Sequence, residues 1–503
     1  MIFQLILLLF IVISIITPRS TIPSHQLTSN HYIQEYEISN KKSNFYINYY
    51  GNRNKLSSYN LDHKKTIKIS DFNAIGDGIS DDTDAFERAA KSDADIIIIP
   101  SGTYLLNKRI VLHGNQTWIG FGSPIIKKIN KSKFPIMIFS IKNVSNITID
   151  GLIFDGNVLE QTPEDIKSDR QKALIEIQGL SKNIQLKNCT IKNGVQWGLL
   201  LKGNIEDQVD IDGKITKKSL MPQSILLENI DTLGNLGINK EFIHGKQGAT
   251  GIALVSVEDI KIIGGTSYDF FDIEPNTQAQ KVTGLVKNRV FKEGADLADS
   301  VHFLENIFEK PSTLNFAVRI TKGDIIFEKN IIKQNKKSEN STWAGVLVLS
   351  NNTSNTVIKN NKFIGSNMVG VALRSLSHSQ IINNQFNIKM KNPSHKLIYN
   401  KASFNLGAIV MASENDNIRS SIVKNNKVVI SGSYSGMAFY FPSHDQRFLQ
   451  ITENSITLNK SSKLGTIYYY GNPNSQLLVK DNLAHIKYVF PAQNVIEDGY
   501  IQP

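Results

Sequence analysis

The chain has a single cysteine in 503 residues. Cys189 alone cannot form a disulfide within one chain and argues against a cysteine-based metal site, so a buried thiol is the plain expectation. Long apolar runs are also missing apart from residues 2–16, IFQLILLLFIVISII, which is short for a membrane span and is followed by Pro18 and Arg19. No lysine or arginine precedes this run and no A-x-A site follows it. A secretory signal fits it best, with an uncleaved anchor as the alternative. Residues 1–20 are therefore expected to be a signal peptide or N-terminal anchor. The body would be secreted, periplasmic or on the cell surface, and would touch a membrane only through an uncleaved anchor. Residues 21–65 are polar, rich in Asn, Ser and Tyr, and lack an apolar period, which fits a linker or arm. Acidic residues are outnumbered 45 to 56 by lysine and arginine, for a net charge of +11. That balance suits an acidic polymer, nucleic acid or glycan, and export favours the glycan. The competing explanation is that the lysines only solubilise outer faces.

The chain changes character at SDFNAIGDGISDDTDAFERAA, Ser70 to Ala90, followed by DIIIIPSGTYLL, Asp95 to Leu106. An extended run enters a Gly-Asp-Gly bend, and Asp81 or Asp82 offers an N-cap to a short helix that turns Phe86 and Ala89 inward. Ile96 to Ile99 form a purely aliphatic strand, stopped by Pro100 and turned by Gly102. This pair of blocks resembles the start of the pectate lyase and rhamnogalacturonase-like, polygalacturonase-related β-helix superfamily. There, DFGAKGDG-x-x-DDT-like and FPxGTY-like motifs cap the helix; here Asn73 and Ile99 replace the usual glycine and aromatic residue. The resemblance implies a parallel β-helix, and the cap itself is structural.

The remainder is organised by repeats. A G-apolar-x-apolar-x-S pattern occurs as GIALVS (Gly251 to Ser256), GVLVLS (Gly345 to Ser350), GVALRS (Gly370 to Ser375) and, with one residue added, GAIVMAS (Gly407 to Ser413). A second element reads NIQLKNCTIKN, DIIFEKNIIKQN, NTVIKNNKFIGSN and SQIINNQFNIKM. Short period-two strands between Asn and Gly turns cannot bury their faces alone but can when stacked coil upon coil. The expected fold is all-β: a right-handed single-stranded parallel β-helix over residues 66–503 with a short N-terminal capping helix. Recurrent asparagines, such as Asn188, Asn330, Asn360, Asn383 and Asn425, are expected to form amide ladders in the turns. Leu159–Gln171, Asn204–Met221, Gly234–Gln247 and Glu293–Thr313 break the rhythm and are expected to be loops walling a groove.

One rung departs from the pattern. Residues 270–276 read FFDIEPN, so alternation sends Phe271 and Ile273 inward and Asp272 and Glu274 outward, with Asp269 at the preceding turn. In NFAVRITK, taken as the next rung, Arg319 and Thr321 face outward, so Arg319 is expected beside Asp272. The same face carries Lys202 on an earlier strand, which Trp197 opens, and Arg374 on a later one; these are candidate subsites. Two carboxylates at i and i+2 stand roughly 6–7 Å apart, near the separation used by inverting glycosidases.

The expected activity is therefore a glycoside hydrolase acting on an acidic, uronate-containing glycan. Asp272 and Glu274 would be the acid and base in an undetermined order, Asp269 a third partner, and no cofactor is required. The trio resembles the aspartate cluster of polygalacturonase-like hydrolases, although NTD and GHG motifs are missing and Arg319-Ile320-Thr321 matches RIK only in part. FFDIEPN is also similar to a GIDIEPN segment of β-helix proteins thought to act on glycans. The alternative chemistry is a polysaccharide lyase or uronate epimerase, which needs a base and a cation for the uronate; Tyr268, His244, Lys322 and Arg319 are available. In that case Asp269, Asp272 and Glu274 could hold calcium. A noncatalytic glycan-binding surface protein, with these charges forming only solvated cross-strand pairs, is the reading from another class.

Overall fold

The computed structural model describes residues 64–483 and 495–498, except 131–136, 162–172, 236–249, 276, 278, 312–313, 335–340, 350–354, 392–395, 400–401, 413–416, 433–436, 442–445, 460–466 and 470–476. The leader and arm expected before residue 64 lie outside the described residues. Lys65–Pro503 group as one compact unit. No helix among the described residues is long and apolar enough to cross a membrane.

The opening block caps the stack. Thr83–Lys91 is the short helix, burying Phe86 and Ala89. Asp82 stands at its N-cap position without a capping bond. Its carboxylate turns back instead to accept the backbone N–H groups of Ile75 at 2.6 Å and Gly76 at 3.3 Å, while Asp81 accepts that of Thr83 at 3.0 Å. Asp82 thus closes the Gly-Asp-Gly bend, and Asp81 anchors the start of the helix. Phe86 stacks on Trp118 below it, 6.2 Å between centroids, which joins the cap to the first coils.

Each coil then runs through three parallel sheets in turn. Phe139–Lys142, Ser145–Asp150 and Ile153–Asp155 make one full circuit. Among the described residues, stacking yields sheets of 13, 17 and 14 strands. Strand-to-strand crossovers between parallel neighbours are right-handed, and the result is a right-handed parallel β-helix. The strands bearing the G-apolar motif, including Trp343–Val348, Met368–Leu373 and Gly407–Met411, all fall in the 13-stranded sheet, hereafter the groove sheet. The second sequence element supplies the other two sheets. Cys189 is free and buried.

The corner between the 17- and 14-stranded sheets explains the asparagines. Its first residue takes a left-handed backbone, as at Asn188, Asn360, Asn383 and Asn425, a conformation that asparagine tolerates better than most residues. The next residue points into the core. From Asn306 the inward position is asparagine in seven successive coils: Asn306, Asn330, Asn361, Asn384, Asn426, Asn454 and Asn482. Each of the first six side-chain amides donates both to the next asparagine's Oδ1 and to a core backbone carbonyl, as Asn384 does to Asn426 at 3.0 Å and to Ile358 at 2.8 Å. Of the five asparagines expected in ladders, only Asn330 belongs to this inner one. The other four occupy the outward corner position, where Asn425 also reaches Asn383 at 2.9 Å.

Arg289 heads the ladder. Its backbone N–H donates to Asn306 Oδ1 at 3.0 Å, and its buried guanidinium donates to the carbonyls of Ile230 and Gly264 and to Ser267 Oγ. A side chain at Gly265 would meet this guanidinium, its Cβ falling 2.8 Å from Nη1. Burial lowers the Arg289 pKa to about 10.

Among the described residues two antiparallel hairpins leave the stack, Asn204–Val209 with Ile215–Leu220 and Leu397–Tyr399 with Ala402–Phe404. Asn204–Met221, expected as a loop, is thus largely the first hairpin. The described part of Glu293–Thr313 is not a groove-walling loop. Ala295–Leu297, Ser300–Leu304 and Ile307–Glu309 form a complete coil, whose ADL strand is too short and too polar to show the repeat. Most of the other two expected loops, and His244, lie outside the described residues.

Candidate functional site

Strand Phe270–Ile273 places Phe271 and Ile273 in the core and Asp272 on the outer face of the groove sheet, followed by exposed Glu274, as alternation requires. Asp272 is paired in register with Asp296, and Asp296 with Arg319. Arg319 is therefore two coils from Asp272 rather than adjacent to it, because the unexpected coil at 295–309 intervenes. The outer face consequently carries a carboxylate, a second carboxylate and a guanidinium on three consecutive strands, each about 4.8 Å from the next.

Arg319 is claimed by its own neighbours. Its Nε donates to Asp296 Oδ1 at 2.6 Å, its Nη2 pairs with Asp296 Oδ2, and its Nη1 donates to the Tyr399 hydroxyl at 2.8 Å. The guanidinium also lies 5.4 Å from the Phe316 ring centroid. Asp296 is 2% and Arg319 9% exposed, so this is a buried, forked ion pair.

Asp272 is 9% exposed, and its Oδ1 is buried with no hydrogen-bond partner. Burial, reinforced by the Glu274 charge and opposed by Arg319, pushes its pKa up to about 7. It can hold a proton near neutral pH. Glu274, two residues along the strand and roughly 6–7 Å away, borders solvent. A cavity of about 230 Å³ opens here, lined by Ile273, Glu274, Pro275, Asp296, Thr321 and Lys322, with Lys322 Nζ donating to the Pro275 carbonyl at 3.0 Å.

Asp269 has a different setting. It is 4% exposed and accepts from Asn235 Nδ2 at 2.7 Å and from the Asn235 backbone N–H at 3.3 Å. Asn235 itself donates to the Ile191 carbonyl at 3.1 Å and accepts from Gly194 N–H at 2.8 Å, so Asp269 belongs to a stack of corner residues. Burial outweighs these bonds and raises its pKa to about 6. Tyr268 is half-buried at the same corner. Among the described residues no group of three or more His, Cys, Asp or Glu side chains is placed to hold a metal ion. The carboxylates expected to bind calcium do not converge, since Asp269 is engaged in the corner.

Lys202 and Trp197 meet in a second cavity of about 540 Å³ on the same face. Glu176 lies at its floor, three coils before Asp272, with Leu200 and Ala253 between them in the same column. Lys142, Gln178 and Lys202 stand at the ends of three successive strands, and Arg109 joins them. The half-buried Trp197 packs on Ala173, Leu200 and Ala253. Arg374 is not brought to either cavity; its strand lies four coils beyond that of Asp272.

Reasoning from sequence missed Asp296, Glu176, Arg109, Lys142 and Tyr399. Lys142 had a signal, since IFSIK and GLLLK both end a strand in lysine at one register. Tyr399 had none, being 80 residues from Arg319 on a separate hairpin.

Residues 66–266 match the family described as rhamnogalacturonase A/epimerase, pectate lyase-like. The plasmin and fibronectin-binding protein A of Streptococcus pneumoniae is 23% identical over 419 residues, covering 64% of this chain and 57% of that protein. A glucan 1,3-beta-glucosidase of Cochliobolus carbonum is 36% identical over 75 residues, 12% of this chain and 10% of that protein. The chain thus spans less than two thirds of the length of either relative. Among solved structures, the tailspike protein of Escherichia coli bacteriophage HK620, in complex with a pentasaccharide, superposes with a TM-score of 0.52 at 12% identity over 86% of this chain and 80% of that one. Residues 66–266 are thus similar to the pectate lyase-like family, and the chain shares the parallel β-helix fold.

Proposed function

We propose that the groove sheet carries the active site of an exported glycoside hydrolase acting on an acidic glycan. The observation that carries this reading is Asp272, a buried carboxyl with an unpartnered oxygen and a pKa of about 7, two residues from solvent-bordering Glu274. Asp272 is the general acid and donates its proton to the glycosidic oxygen as the bond to the anomeric carbon breaks. Glu274 is the base and takes a proton from the water that attacks that carbon from the opposite side. Their separation, roughly 6–7 Å, leaves room for the water and predicts inversion. Asp296, held in place by Arg319, supplies negative charge beside the oxocarbenium-like transition state. Arg109, Lys142 and Lys202 in the larger cavity suit the carboxylates of a uronate chain, and Trp197 offers an apolar face to a sugar ring.

The test is a screen on acidic and neutral polysaccharides, with and without calcium, reading reducing ends and unsaturated-uronate absorbance together. Reducing ends without that absorbance, lost in both Asp272→Asn and Glu274→Gln, support hydrolysis; absorbance reassigns the site to β-elimination. A second reading, a glycan-binding surface protein, draws on the pneumococcal relative, which is named for binding plasmin and fibronectin. Saturable glycan binding with no product across the screen would favour it.

A further inference from the structure

Several lysines on the outer faces of the 14- and 17-stranded sheets pair with a carboxylate of the adjacent coil, as Lys192 does with Asp155 at 3.4 Å, Lys333 with Glu309 at 3.3 Å and Lys359 with Glu328 at 3.2 Å. The larger cavity of the groove sheet departs from this habit. Arg109, Lys142 and Lys202 border it, and none of the three forms an ion pair among the described residues. Lys142 and Lys202 flank Gln178 in register, so their strands stand two spacings, about 10 Å, apart. Glu176, the one carboxylate in the lining, is buried and accepts from Gln178 Nε2 instead. Three positive charges thus face one negative charge around about 540 Å³. The cavity is also separate from the acid pair. It shares no lining residue with the smaller cavity at Glu274, and Ala173, Leu200, Ala253 and Phe270, on the outer face between Glu176 and Asp272, are at most 3% exposed. Trp197 packs on the first three, so an apolar ridge divides the face.

Resting on the acidic-glycan part of the reading above and not on hydrolysis, we propose that this cavity is a self-contained binding site for a single anionic sugar unit, filled independently of the acid pair. Its volume falls within the roughly 300–1,000 Å³ of small-ligand sites. The sugar's carboxylate meets the three cations, its hydroxyls donate to Glu176 and exchange hydrogen bonds with Gln178, and one ring face lies on Trp197. On a polymer the site holds a unit remote from the cleaved bond, three strand spacings or about 14 Å away, and so anchors the chain without touching the reacting atoms.

The chain itself carries the reporter. Of its three tryptophans, Trp118 and Trp343 are fully buried in the core, so a ligand-dependent change in emission comes from Trp197. The protein is titrated with D-galacturonate, D-glucuronate, D-glucose and inorganic phosphate, reading tryptophan emission and heat of binding together. A saturable response to a uronate, none to glucose and at least tenfold weaker binding of phosphate are expected. Lys142→Met combined with Lys202→Met should weaken uronate binding at least tenfold, and so should Glu176→Ala, with thermal scans showing that both proteins are folded. Asp272→Asn should shift it less than twofold. No response to either uronate overturns the proposal, as does phosphate binding as tightly as the sugar, which would make this a site for charge alone. Equal weakening in Asp272→Asn overturns it too, because the two cavities would then act as one site. If a uronate binds here and no polysaccharide is cleaved, the hydrolase reading fails and the site stands; cleavage without uronate binding sinks the site alone.

Discussion

Replacing Asp272 by asparagine should stabilise the protein at neutral pH and leave it nearly unchanged in acid. The folded state raises the Asp272 pKa from 3.8 to about 7, so between those values the folded chain holds a proton that the unfolded chain has released. Stability therefore falls as pH rises through this window, at up to 1.36 kcal/mol per pH unit, for a total of about 4 kcal/mol. Asparagine has no such titration. With an unfolding entropy of about 2.1 cal/mol/K per residue over about 440 residues, 4 kcal/mol corresponds to a Tm difference of about 4 °C. The assay is a series of thermal scans on native and Asp272→Asn proteins from pH 4 to pH 8. The difference, mutant minus native, should grow by about that amount across the series. Parallel curves, with a constant difference at every pH, would show that Asp272 does not titrate near neutrality and would remove the basis for its role as the acid.

Arg319→Met leaves Asp296 buried without its partner and should cost about 3–5 kcal/mol, read as a loss of thermal stability. Because Arg319 also holds the Asp272 pKa down, the basic limb of the pH–rate profile should move to higher pH in the same variant. Asn384→Leu removes the acceptor of two Asn361 N–H groups and the donor to Ile358 and Asn426; each stranded polar group costs about 1–3 kcal/mol, measurable as a lower unfolding midpoint in urea. Lys142→Met combined with Lys202→Met should raise KM on an acidic polysaccharide and weaken its salt dependence while leaving kcat within about twofold; an unchanged KM would remove the cavity from substrate binding.

The solenoid was legible because stacked strands advertise themselves through period-two apolar residues and a glycine that recurs near the start of several groove-sheet strands. Asp272 and Glu274 stood out for the converse reason, as two acids in outward positions where GIALVS carries Ala253 and Val255 and GVLVLS carries Leu347 and Leu349. What stayed hidden was stacking order. The coil containing Asp296 begins with only Ala-Asp-Leu, too short to display a period, so Arg319 was assigned to the wrong neighbour. Whether Asp269 joined the groove or the corner depended on Asn235, an asparagine like dozens of others in the chain until its partners are seen. The hairpin carrying Tyr399 owes its position to apolar packing against strands distant in sequence, a contact that no local pattern encodes.

The asparagine ladder fixes one point per coil and nothing else. Successive members are separated by 24, 31, 23, 42, 28 and 28 residues, yet every step closes with the same amide geometry. The 42-residue step is the one that contains the Tyr399 hairpin. A coil can therefore gain or lose a large insertion on the groove side without altering how it seats on its neighbours, because the amide lock lies at another corner. Groove shape and scaffold integrity are separable in this molecule. New walls, and with them new substrate selectivities, can be grafted between one asparagine and the next while the vertical registration of the stack is preserved.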